Sequence, residues 1–181
     1  ETVPVGEDLR QQPFRLPVQW VSRPDQNFRG FAGTIASGTV KTGDTLKVLP
    51  SGRQSTVTRI VTADGDLQSA IADQAITITL ADEIDVSRGD VLCAANAPAE
   101  VSDQFEVEVL WMGDQEMLPG RPYLIKSGTR TVTGTLDKLK YKVNVNTMEH
   151  VAANTLALNE IGVCALELDG SLAFAPYGEN K

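Results

Sequence analysis

Polar and apolar positions alternate with a period of two along most of the chain, and helical periodicity is almost absent. In Phe105-Glu106-Val107-Glu108-Val109-Leu110-Trp111 the odd positions are apolar while Glu106 and Glu108 face out. In Ile76-Thr77-Ile78-Thr79-Leu80 the even positions are apolar and the threonines alternate with them. Both patterns predict half-buried strands with one face on a core. Phe14-Arg15-Leu16-Pro17-Val18-Gln19-Trp20-Val21 alternates too, but Pro17 has no N–H to give a ladder, which predicts an edge strand or a bulge. The longest run, Thr129 to Asn146, changes phase. Its inward set is Val132, Gly134 and Leu136 at first, then Leu139, Tyr141, Val143 and Val145. A slip of one position reverses the buried face, so a continuous strand must absorb an extra residue, and a bulge is expected at Asp137-Lys138.

Turn chemistry falls between these runs at Ser37-Gly38, Thr42-Gly43-Asp44, Pro50-Ser51-Gly52, Asp64-Gly65-Asp66, Arg88-Gly89-Asp90, Pro119-Gly120 and Asp169-Gly170. Turn signals about ten residues apart suggest a barrel or a sandwich. Ala95-Asn96-Ala97-Pro98-Ala99-Glu100-Val101-Ser102 breaks the pattern with small residues and a proline. The expected fold is all-β, two antiparallel β-barrels in tandem over residues 10–96 and 103–181, with 97–102 as the linker. The one stretch that could coil into a longer helix is Met148 to Ala153.

Charge and composition narrow the classes. The chain has 181 residues, 24 Asp plus Glu against 16 Lys plus Arg, a net charge of −8 and an apolar fraction of 41%. That is an ordinary globular composition, too acidic to suggest binding of bare nucleic acid. No run approaches the ~20 apolar residues of a membrane helix, so no membrane is expected. Charge is segregated: residues 10–60 carry +6, residues 61–116 carry −12 and residues 121–142 carry +5. Such blocks make solvated faces of opposite sign, or a basic barrel face that meets an acidic partner surface. The first methionine is Met112 and the N-terminus has no basic or apolar leader, which reads as a piece of a longer protein.

Candidate chemistry is sparse. Cys93 and Cys164 each sit in an apolar run without Cys-x-x-Cys spacing, as expected of buried thiols in a cytoplasmic protein rather than a disulfide or metal site. His150 lies in a polar stretch and reads as exposed or capping. Asp82-Glu83-Ile84-Asp85 reads as solvated carboxylates on a loop. There is no phosphate loop, no Gly-x-Gly-x-x-Gly fingerprint and no nucleophile elbow. No catalytic, cofactor-binding or metal-ligating residue is assigned.

Phe28-Arg29-Gly30-Phe31-Ala32-Gly33-Thr34-Ile35-Ala36-Ser37-Gly38-Thr39-Val40-Lys41-Thr42-Gly43-Asp44-Thr45-Leu46-Lys47-Val48 resembles the second domain of the translational GTPases, a β-barrel of the elongation factor Tu type. Ser87-Arg88-Gly89-Asp90-Val91-Leu92 is similar to the strand that closes that barrel. Phe105 to Trp111, Leu118-Pro119-Gly120 and Gly128-Thr129-Arg130-Thr131-Val132 resemble the opening of the third domain, a second barrel. Phe14 to Pro24, Val48 to Arg53 and the Asp64-Gly65-Asp66 turn are similar to the GTP-binding large subunit of bacterial sulfate adenylyltransferase.

That resemblance implies a GTPase domain before Glu1, binding GTP and Mg, with residues 1–9 as its trailing leader. It implies a domain three that stops before its last strand. It also implies a cytoplasmic heterodimer with the small subunit, which makes adenylylsulfate and pyrophosphate from ATP and sulfate while GTP is hydrolysed. The barrels would then be scaffold and interface. The alternative is a translation elongation factor whose barrels bind aminoacyl-tRNA, and a third reading is a stand-alone interaction module. Against the elongation factor, Ala72-Asp73-Gln74-Ala75-Ile76 stands where that group carries Gly-Asp-Asn-Val-Gly. The candidate interdomain or subunit contact is Phe28, Arg29, Gly30 and Phe31, an arginine and two aromatics beside a glycine that permits close backbone approach.

Overall fold

Strands form where the alternation is strict, and the glycine turns join them. Residues 9–176 are described by a computed structural model. After a single 3-10 turn, Leu9–Gln11, come β1 (Arg15–Pro17), β2 (Trp20–Ser22), β3 (Gly30–Thr34), β4 (Thr39–Lys41), β5 (Thr45–Leu49) and β6 (Gln54–Thr62). There follow β7 (Gly65–Leu67), β8 (Ser69–Ile71), β9 (Ala75–Leu80) and β10 (Val91–Ala94). The remainder holds β11 (Glu100–Leu110), β12 (Pro122–Ser127), β13 (Arg130–Val143), β14 (His150–Val151) and β15 (Ile161–Phe174). No α-helix occurs among the described residues. The segment Met148 to Ala153 holds β14, paired with the end of β13, where a helix could have formed.

The chain divides into two compact units. One runs to Val101 and includes Gly128–Arg130 and the stretch from Ala173; the other comprises Ser102–Ser127 and Thr131–Leu172. In the first, the antiparallel order is β1-β10-β5-β6-β9-β3-β2, with β7 on β6 and β4 paired to β8. β1 and β2 lie at opposite ends of that order yet are two residues apart in sequence, so the sheet must curl back on itself into a barrel. At the crossing, Val18 N donates to Asp90 O and Gln19 N to Ala32 O. Gly33 makes the crossing fit, because a Cβ there would lie 2.4 Å from the Pro17 carbonyl oxygen. Pro17 is at the edge end of its strand, where its missing N–H costs no ladder bond. The core gathers Leu16, Val18, Val40, Leu46, Val48, Ile60, Ile78 and Leu92, among others. At β9 the pattern holds with one refinement: Thr79 is buried, its hydroxyl 2.7 Å from that of Thr58.

The second unit is an antiparallel sheet in the order β11-β15-β13-β12 with β14 on β13, wrapped around Met117, Leu136, Leu139, Leu156, Cys164 and Leu166. The register shift between Leu136 and Lys138 sets the expected bulge at Asp137. A second shift lies between Leu139 and Tyr141, which the sequence did not announce. It corrects the inward set: Leu139 is buried, Tyr141 and Val143 are half-buried, and Val145 lies beyond the strand and is exposed. Asp169-Gly170 is no turn but the middle of β15, where Asp169 Oδ1 accepts the Thr133 N–H at 3.0 Å.

Candidate interface on the first unit

The β2–β3 hairpin builds the site. Its loop is held by Asp25 Oδ1, which accepts the Asn27 N–H at 2.7 Å. The chain then enters β3 at Gly30, paired with Ser22 on one side and Thr79 on the other. A Cβ on Gly30 would fall 2.5 Å from the Thr77 methyl and 2.7 Å from the Phe28 ring. The glycine therefore makes room for the protein's own Phe28, folded back over the strand. Phe31 points inward and is core. Arg29 bridges inside and outside: its guanidinium lies 5.5 Å from the Phe31 ring centroid and 3.6 Å from Asp85 Oδ1. Stacking on an aromatic face and an ion pair hold one guanidinium orientation at modest energy, since the pair is solvent-exposed.

The structure thus brings Phe28, Arg29, Gly30 and Phe31 together. Phe28 and Arg29 can be offered to a partner, while Phe31 lies beneath them and Gly30 makes room for Phe28. Phe28, Arg29 and Phe31 border a shallow cleft of about 300 Å³ whose other walls include Arg23, Thr58, Arg59 and Asp82. Asp82 is fixed by Ser55, whose hydroxyl donates to its carboxylate at 2.7 Å. Arg59 is held by Asp66 in a bidentate pair at 2.7 and 3.0 Å. That contact lowers the Asp66 pKa and raises that of Arg59. The cleft is lined by both signs of charge rather than by a uniformly basic face.

One cleft residue, Arg59, and one exposed aromatic on the same hairpin, Trp20, escaped the sequence reading. Trp20 is 65% exposed on β2, opposite Ala32. It shares the parity of buried Leu16 and Val18, and only the crossing at Val18-Gln19 turns it outward. Arg59 is 31 positions from Phe28 in sequence, and only the β6–β9–β3 pairing brings it near.

Elsewhere in this unit, the Asp90 carboxylate accepts from Ser87 N at 2.9 Å and Arg130 Nη1 at 3.2 Å. Burial raises its pKa, and those two contacts oppose the rise. Cys93 is buried and free, its thiol pKa pushed up by burial; Cys164 in the second unit is the same. His150 is exposed and stacks on Tyr141 at 3.8 Å. Among the described residues no group of three His, Cys, Asp or Glu is arranged to hold a metal ion. None of the described helices is long and apolar enough to cross a membrane.

Comparison with known proteins agrees with this architecture. Residues 32–93 match elongation factor Tu domain 2, and residues 104–181 match the GTP-eEF1A C-terminal domain-like family. The sulfate adenylyltransferase subunit 1 of Aeromonas hydrophila is 48% identical over 99% of this chain. The chain belongs to the sulfate adenylyltransferase subunit 1 family. The bifunctional enzyme CysN/CysC of Xylella fastidiosa is 52% identical over 92% of the chain. The chain spans only 38% of the Aeromonas protein and 27% of the Xylella protein. Among solved structures, sup35 complexed with GDP superposes with a TM-score of 0.84 over 94% of this chain and 42% of that one, at 18% identity, a likeness of fold. Where the elongation factors have Gly-Asp-Asn, this family member forms its β8–β9 turn with Asp73 at a φ of 71° and Gln74 Oε1 accepting the Ile71 N–H.

Proposed function

We propose that these barrels are the scaffold and coupling part of the GTPase subunit of sulfate adenylyltransferase. The parent protein hydrolyses GTP to drive formation of adenylylsulfate and pyrophosphate from ATP and sulfate. The observation that carries the proposal is the 48% identity to a subunit 1 protein over 99% of the chain. GTP and Mg belong to the portion of such proteins outside this chain, and the ATP and sulfate chemistry belongs to the small subunit of a cytoplasmic heterodimer. The part left to these residues is mechanical. A surface transmits the nucleotide state only if it makes different contacts in the two states. The Phe28–Arg29 edge of the cleft is that surface, since its guanidinium has an exposed partner, Asp85, that a competing carboxylate can replace.

In the full-length heterodimer, Arg29→Ala should weaken coupling between GTP hydrolysis and adenylylsulfate synthesis by about 1–3 kcal/mol, the range of an interface arginine. Melting temperature should not change. A variant that melts like wild type and couples equally well would refute the assignment of Arg29.

A further inference from the structure

One end of the second unit gathers apolar side chains that nothing in the unit covers. β11 ends there at Leu110, β13 ends at Val143, and β15 begins at Ile161, which pairs with Val143. Trp111 N donates to Glu160 O and Asn159 N donates to Trp111 O, stitching the chain after β11 to the chain before β15. Met117 bridges to Leu156, and the Tyr123 hydroxyl meets the Leu118 backbone at 3.2 Å. These pairings bring Leu110, Met112, Leu118, Val145, Met148 and Leu158 to one end, all exposed. Met112 and Met148 are the most open, at 73% and 71%.

The loop that carries Val145 and Met148 is preorganised. Asn144 Oδ1 accepts the N–H groups of Asn146 and Thr147, Met148 N donates to Asn144 O, and Asn144 N donates to Glu149 O. Met148 has a φ of 58°, a left-handed conformation that disfavours a side chain of this size. A strained residue held by its surroundings, with an apolar side chain aimed at solvent, is a pattern of functional surfaces. Around this end, residues 108–121 and 142–160 carry Glu108, Asp114, Glu116, Glu149 and Glu160 against Arg121 and Lys142. Lys142 is already paired with Glu160. The rim is therefore acidic.

We infer that this end is the docking surface for the second subunit of the enzyme, which meets it with an apolar face rimmed by lysine or arginine. The inference rests on the proposed function, because the relatives' name, subunit 1, implies a separate partner chain. An apolar centre favours a subunit over another domain of the same polypeptide. Permanent subunit interfaces are the more hydrophobic class, whereas interfaces between domains of one chain are more polar. Methionines suit the role by filling irregular pockets.

The test uses full-length subunit 1 carrying Met112→Glu and Met148→Glu together, mixed with its cognate second subunit and followed by sedimentation. Both positions are exposed, so the melting temperature of the variant should match wild type. Subunit affinity should fall roughly tenfold or more, as for loss of interface anchors. Restoring Met112→Leu and Met148→Leu should recover it. Unchanged affinity in a folded variant overturns the inference. So does a variant that binds the second subunit normally but becomes protease-sensitive between its own domains, or one that loses only self-association. If wild-type subunit 1 does not bind the second subunit at all, the functional reading itself falls, and this surface with it.

Discussion

The two units solve the same packing problem to different degrees of completion. In the first, the sheet returns to its starting strand, and the exposed large hydrophobics among the described residues are Leu9, Trp20 and Val101. In the second, β11 and β12 are the two ends of the strand order, joined through side chains such as Trp111 edge-on to Tyr123 at 5.5 Å, and the inner residues of β11, Phe105, Val107 and Val109, are only half-buried. Exposed large hydrophobics there number eight, from Leu110 to Leu158, with Leu124 on the edge strand β12 80% open. A barrel whose inner face is fully buried finishes its own surface, whereas one with a half-buried strand leaves more apolar area exposed. The first unit thus buries its large apolar side chains more completely than the second.

Two glycines break the comparison most directly. A side chain at Gly33 meets a backbone carbonyl, which cannot yield without opening the β1–β2 crossing. A side chain at Gly134 meets side chains rather than backbone, Ile125 Cγ1 at 2.6 Å and the Leu168 and Leu166 methyls at 2.7 and 2.9 Å, and side chains can shift where a backbone carbonyl cannot. Gly33→Ala should destabilise the first unit by about 3 kcal/mol, and Gly134→Ala the second by about 1 kcal/mol or less. Hydrogen exchange resolved by segment would measure each. Equal costs would mean that the second core is as tightly closed as the first.

Acid sharpens the contrast, because one carboxylate in each unit responds in the opposite sense. Glu160 is held below the usual glutamate pKa by the Lys142 ammonium and the Ala157 N–H. Its folded pKa is depressed, so its contribution is present above about 4.5 and fades as pH falls through the depressed value. Burial raises the Asp90 pKa, so its ionised form costs stability and protonation relieves that cost as pH falls through the raised value. NMR titration of the two carboxyls should place Asp90 above 3.8 and Glu160 below 4.5. The reverse order would remove the distinction.

The smallest effect is expected at the hairpin tip. Met148→Gly relieves the left-handed strain but loosens the unfolded chain, for a net gain of about 0.5 kcal/mol. Thermal unfolding would detect it, and a loss of stability would show that Met148 packs within its own unit.

Much of this was legible in the sequence, and the exceptions have physical causes. The strands, the bulge at Asp137 and most glycine turns follow from local pattern, because parity and left-handed backbone are local properties. Asp169-Gly170 misled, since a carboxylate oxygen can stand in for a ladder acceptor and keep a strand running. The second slip near Lys140 left no local trace and moved Tyr141 and Val143 half out of the core. At the candidate site, the hairpin motif located Phe28 to Phe31. It did not show that Phe28 fills the space above Gly30, because that depends on Thr77 on β9, six strands further along the chain.

The pairing of Leu16 with Leu92 also sets a schedule. Within the first barrel, β1 is the first described strand to be synthesised and its partner β10 is the last. At a synthesis rate of ~5–20 residues per second, the intervening 75 or so residues take roughly 4–15 s. For that interval Leu16 and Val18 have no finished core to enter, and the nascent chain carries them exposed. The barrel's closure is therefore timed by the ribosome rather than by its own folding speed, and slower translation prolongs the window in which a chaperone or a neighbouring nascent chain can capture the open strand.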